Sequence, residues 1–209
     1  MGDDTMERFY SNPIGVIWSG VAGIVTFTFG ALVVSLFGNT IEDGFLLFAV
    51  SGGIGGLLLS IMTGLWKKIP VVTLVCFIGL PLGVLVSFGI AGLFDLVPVL
   101  PESFSSSGMP DAFAIAIVGA VCGAILGGVL FGRHAVVFSA LISGLAAFPF
   151  GLLVSAFNKD YPIRSLFMEL ISPFHAQDPN YVAIVMGVGI GMSLSLGLYR
   201  RNHPIPSKQ

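Results

Sequence analysis

The chain offers few residues that could do chemistry. Its three histidines are His134, beside Arg133; His203, near the C-terminal end; and His175, in a stretch that also holds Glu169 and Asp178. A histidine with two carboxylates can hold a metal ion, but these three lack the regular ligand spacing of metal sites. An intramembrane serine protease of the rhomboid type would need Gly-x-Ser-Gly. The Ser-Gly pairs at Ser19, Ser51 and Ser143 are each preceded by the wrong residues. No paired acidic motif falls inside an apolar run. The residues therefore predict no catalytic group, no metal and no cofactor, and the chain is expected not to be an enzyme.

Three hydroxyls stand out by their setting. Ser87 and Ser155 close two copies of one motif, Pro81-x-Gly83-x-Leu85-Val86-Ser87 and Pro149-x-Gly151-x-Leu153-Val154-Ser155, spaced 68 residues apart. The same step pairs Asp43 with Asp111, Phe45 with Phe113, Gly55 with Gly123, Leu58 with Leu126 and Gly64 with Gly132. An earlier run, Phe29-Gly30-Ala31-Leu32-Val33-Val34-Ser35, matches the end of the motif with one inserted residue and agrees with it in depth. Ser35, Ser87 and Ser155 would then share one depth and could line a polar path. The other reading has each hydroxyl bonded to a carbonyl of its own helix, one turn back.

Glycine is the strongest local signal. Gly52 and Gly56, Gly119 and Gly123, Gly123 and Gly127, Gly128 and Gly132, and Gly187 and Gly191 are all four apart. On a helix such pairs form a flat stripe where a second backbone can approach closely. The stripes serve packing within the chain, a self-association face, or a smooth-walled conduit. Pro81 and Pro149 are expected to kink their helices.

The elements that carry these residues follow from composition. Only 10% of the 209 residues are charged and 55% are hydrophobic, against roughly 25% charged in soluble domains. The mean hydropathy is +0.97. Six stretches contain no Asp, Glu, Lys or Arg: residues 13–37, 44–66, 69–94, 112–132, 135–157 and 181–199. About 20 residues of helix cross a 30 Å hydrocarbon layer, and helices satisfy their own backbone polar groups there. The expectation is one integral membrane domain, all-α, with six transmembrane helices. The first apolar run follows the acidic residues Asp3, Asp4 and Glu7 and reads as a retained anchor. Residues 163–171 place Ile163, Leu166, Phe167, Leu170 and Ile171 at helical spacing between two prolines, the pattern of a short helix at the membrane interface.

Orientation follows from the basic residues. Arg8, Lys67, Lys68, Arg133, Arg200, Arg201 and Lys208 fall on one side of the six spans, and only Lys159 and Arg164 on the other. The first side is expected to be cytoplasmic, with both termini, in the cell membrane. Each descending helix starts after an Asp and ends at a basic residue. The spans therefore read as three helical-hairpin repeats in parallel orientation, and a pseudo-threefold arrangement is a further conjecture. No charged residue lies mid-span, where coupled transporters keep one.

Two functions fit these features: a channel or carrier for a small neutral or weakly polar solute, or a non-catalytic membrane subunit that scaffolds or anchors a complex. The expected partner is the lipid bilayer. A second copy of the chain or a membrane complex partner would use the glycine stripes. No basic block points to nucleic acid.

Overall fold

The computed structural model describes residues 12–37, 44–95, 108–159, 161–174 and 178–203, the side chains of 91–95 and 174 excepted. Among them are seven α-helices: α1 (Pro13–Leu36), α2 (Gly44–Met62), α3 (Ile69–Asp95), α4 (Met109–Phe131), α5 (Arg133–Asn158), α6 (Pro162–Ile171) and α7 (Pro179–Asn202). Six of them, all but α6, are long and apolar enough to cross a membrane. The chain is thus compatible with a multi-pass membrane protein.

Local chemistry sets the ends. α1, α4, α6 and α7 carry Pro in the first two helical positions, where the missing N–H costs nothing and φ is already helical. The Asp178 carboxylate caps α7 by accepting from the Asn180 N–H at 2.9 Å.

The second span stops short of the expected residue 66. Gly64 has φ +70°, the Leu65 N–H donates to Ser60 O at 2.8 Å, and the Gly64 N–H donates to Ile61 O at 3.2 Å. That pair of bonds is a Schellman ending. The apolar run continued through Leu65 and Trp66, but the backbone had already turned at a left-handed glycine. A 3₁₀ turn, Trp66–Lys68, then leads into α3.

Gly132 closes α4 in the same spirit, with φ +86° and its N–H donating to Gly128 O at 2.9 Å. It is at once the residue before α5. A Cβ at Gly132 would meet nothing within 4 Å. Gly132 is therefore not a packing residue, as its spacing from Gly128 suggested. Its requirement is a backbone conformation that L side chains rarely adopt.

Pro81 and Pro149 lie inside α3 and α5, and both helices run through them without interruption. A proline there removes one helical hydrogen bond, which membrane helices tolerate when neighbours cover the gap.

The six long helices form a closed ring in chain order. Each packs on the next, α7 closes against α1, and α7 also presses inward on α4. Of α7's most apolar stretch, 67% is buried, against 28–44% for the other five helices, so the last helix sits deepest. The interior of the ring is filled with side chains. Phe27, Leu59, Leu80, Leu126, Met192 and Leu196, from five helices, are all 0–2% exposed and belong to one apolar cluster. Outward, Ile14, Leu74, Phe88, Val137 and Leu145 are more than half exposed. α6 lies across the end of the bundle opposite Lys67 and Arg200. Its Phe167 packs on Phe157 of α5 with ring centroids 5.0 Å apart, and Ile171 is buried in the main core.

Candidate functional site

The three serines singled out by the repeat occupy three different settings. The Ser35 hydroxyl donates to Ala31 O of its own helix at 2.9 Å. The Ser87 hydroxyl crosses from α3 to donate to Ala114 O of α4 at 3.0 Å. Ser155 is buried in α5 and packs beside Gly108, which has φ +81° and whose Cβ, if present, would collide with the Ser155 hydroxyl. Ser87 thus bonds to α4, Ser155 packs on the residue that precedes it, and Ser35 bonds within α1.

The glycines mark where helices touch. A Cβ at Gly52 would overlap the Cys76 carbonyl, and one at Gly56 would stand 2.7 Å from Cys76 Cβ. Both face α3. Gly119, Gly123 and Gly127 face α5, through Ser143 and Ala147, through Ser139 and Ser143, and through Ser139, respectively. Gly128 meets only Val136 Cγ2, at 3.0 Å. Gly187 faces Phe150, and Gly191 faces the Ser143 backbone with its carbonyl at 2.5 Å. Gly23, which the spacing of pairs did not pick out, lies against Gly189 O and the Ser193 side chain, so α1 and α7 also approach backbone to backbone.

Several buried hydroxyls went unnoticed in the sequence. Ser139 and Ser143 are 0% exposed, and neither Oγ has a hydrogen-bond partner; nor do Thr28 Oγ1 and Thr73 Oγ1. Ser143 Oγ lies where a hydrogen on the Gly123 Cα points, and Ser139 Oγ does the same at Gly127. A polarised Cα–H is a weak partner for an oxygen. The signal was present as Ser139-x-x-x-Ser143, a pair of small residues four apart that mates with Gly123-x-x-x-Gly127.

At one end of the bundle three elements are tied pairwise. Arg200 Nη1 donates to Thr63 O at 3.1 Å, and Lys68 Nζ donates to Leu130 O at 3.1 Å. The Tyr199 ring stacks on Phe131 with centroids 4.3 Å apart, and on its other side on His203, also at 4.3 Å. The end of α2 with its turn, the α4–α5 junction and the end of α7 thus form a triangle. Lys68 and Arg200 each serve a carbonyl at a helix C-terminus that has no partner in its own helix. Lys67, Arg133 and Arg201 are exposed around them.

Among the described residues no three of His, Cys, Asp and Glu gather as a metal site. His175 lies outside the described residues, whereas Glu169 and Asp178 are within them. Cys76 and Cys122 are free and buried, and Cys122 Sγ donates to Gly79 O at 3.2 Å, another bond from one helix to the next. The chain matches no family model, no curated protein and no solved structure.

Proposed function

We propose that the chain is a non-catalytic membrane subunit, which acts through its surface by anchoring or holding a partner in the bilayer. One observation carries this reading: the middle of the six-helix ring is occupied by Phe27, Leu59, Leu80, Leu126, Met192 and Leu196. A conduit for a polar solute needs polar groups along its length, and this centre is hydrocarbon packed to exclusion of solvent. The serines fit the same reading, because Ser87 spends its hydroxyl on a neighbouring helix and Ser35 on its own.

The bundle is placed in the cell membrane with the Lys67, Arg133 and Arg200 end in the cytoplasm, supported by the bias of basic residues toward that end. A three-hairpin origin is supported by two structural coincidences at the 68-residue step. Gly64 and Gly132 both have positive φ where the chain turns after a descending helix. Gly52 packs on Cys76 as Ala120 packs on Gly144. Against equal repeats, Gly83 packs on Val118 within the α3–α4 hairpin, whereas Gly151 of α5 packs on Ala112 of the preceding hairpin.

A small-solute carrier is the second reading. It is favoured by the unpaired buried hydroxyls of Thr73, Ser139 and Ser143, which a solute could satisfy in another packing of the helices. Two measurements separate the readings. Recovery of the tagged chain from its native membrane with another protein at fixed stoichiometry is the expected result. Flux of small neutral solutes above empty vesicles, in liposomes holding folded protein, overturns the subunit reading in favour of the carrier.

A further inference from the structure

The triangle at the basic end holds more cations than Lys68 and Arg200, the two that bond helix-end carbonyls there. Lys67, Lys68, Arg133 and Arg201 are exposed there, with Arg200 half-buried beside them. The carboxylates of the described side chains, Asp111, Glu169 and Asp178, all belong to the opposite end. Helix polarity sharpens the imbalance. α5 begins with Arg133 at its first position, behind a glycine that offers no capping side chain. α3 begins directly after Lys67 and Lys68. Neither first turn contains an acid. The N-terminal end of a helix carries partial positive charge and favours anions, so two such ends are loaded with cations of the wrong sign.

We propose that this end binds the phosphate headgroup of an anionic phospholipid, at the junction of the Trp66–Lys68 turn, the start of α5 and the end of α7. A phosphate there would be drawn by the cations Lys68, Arg133 and Arg201 and by the N-terminal end of α5, whose first turn holds no acid. Two features select a lipid over a free anion. Trp66 is 62% exposed beside the cations, the placement of an aromatic anchor at headgroup depth. Directly inward of the cations, Val71 and Leu74 on α3, Val129 on α4 and Val137 on α5 are 43–68% exposed. Acyl chains have an apolar wall to lie on while the phosphate sits above it. Basic pockets between spans recognise acidic headgroups in this way.

The test uses the full chain in neutral detergent. The protein is incubated with equal amounts of phosphatidylglycerol and phosphatidylcholine and repurified, and the retained lipid is counted by mass spectrometry. The expected result is preferential retention of phosphatidylglycerol. R133Q/R201Q should cut that preference at least tenfold, because each surface cation is worth roughly a fivefold change in binding. K159Q/R164Q, at the opposite end, should leave it unchanged. Elution as a single species in gel filtration establishes that each variant is folded. If R133Q/R201Q does not fold, the wild type is measured across increasing salt, where the preference must fall. Equal retention of the two lipids, a preference that R133Q/R201Q leaves intact, or one that salt leaves intact overturns the proposal. So does displacement of the retained phosphatidylglycerol by an equal concentration of inorganic phosphate, which would mark a site for a free anion.

Discussion

Replacing Gly191 by alanine adds one methyl group at the place where α7 lies closest to α5. The new Cβ would stand 2.5 Å from Ser143 O, 3.0 Å from Ser143 Cα and 3.1 Å from Ser143 C. All three are backbone atoms, so no rotamer change relieves the overlap. The two helices must separate until the shortest contact grows from 2.5 to at least 3.4 Å. α7 cannot simply move away, because Gly189 on its other side already touches the Phe27 ring of α1. Opening a gap of that size forfeits a quarter to a half of the dispersion energy across the contact. Overpacking of this kind costs about 1–3 kcal/mol, and the clamp between α1 and α5 places Gly191→Ala at about 2–3 kcal/mol, near the top of that range. For a chain of this size that is a fall in melting temperature of roughly 4–12 °C. Gly89→Ala is the matched control. Gly89 is also inside a helix, but its Cβ would meet nothing within 4 Å, and alanine is the better helix former by up to about 1 kcal/mol. Gly89→Ala is expected to leave the melting temperature unchanged or raise it. Thermal unfolding in detergent, followed by loss of the monodisperse peak in gel filtration, reads both. Equal melting temperatures for the two variants would refute the claim that close backbone approach holds α7 in place.

Gly132→Ala should destabilise by about 1–3 kcal/mol although the space around it is empty, because the cost is conformational; an unchanged melting temperature would show that the α4–α5 junction relaxes. Ser87→Ala removes a bond between helices and should cost on the order of 0.6 kcal/mol, whereas Ser35→Ala removes one within a helix and should cost less; the two melting temperatures measured side by side check the order. Neither substitution should alter solute flux in liposomes. His203→Cys and Tyr161→Cys, at opposite ends, should react with a membrane-impermeant maleimide from opposite sides, His203→Cys from the cytoplasmic side; the native Cys76 and Cys122 are buried and should stay silent. Labelling of both from one side would break the proposed topology.

What the sequence made legible and what it hid have separate physical causes. The six long apolar helices were readable because crossing a bilayer demands a minimum length and the exclusion of charge, and both are properties of composition alone. Their ends were less readable. Residues 63–66 are apolar enough to belong to a span, but a left-handed glycine turns the chain at Gly64, and hydropathy does not register φ. The same blindness made Gly132 look like a packing glycine. The serines show a second limit. Ser35 and Ser87 end similar runs, yet one bonds within its helix and the other to a neighbour. That choice depends on which face of each helix meets another, and no single helix contains the information.

The central place of α7 is a different case, because its signal was present and was read too narrowly. α2 and α4 keep small residues mainly where they meet α3 and α5. α7 carries them toward two neighbours at once: Gly187 and Gly191 toward α5, and Gly189 and Gly197 toward α1, with Ser193 against Gly23 of α1 as well. A helix with one small-residue stripe can pack closely on one side and show its other side to lipid. A helix whose small residues point in several directions can be approached closely from each of them, which is the condition for sitting among other helices. The pair Gly187 and Gly191 was visible as spacing, but Gly189 and Gly197 fall outside any four-residue pair with it. Counting faces instead of pairs would have placed α7 inward. The deep burial of α7, 67% of its most apolar stretch, is the outcome of that arrangement.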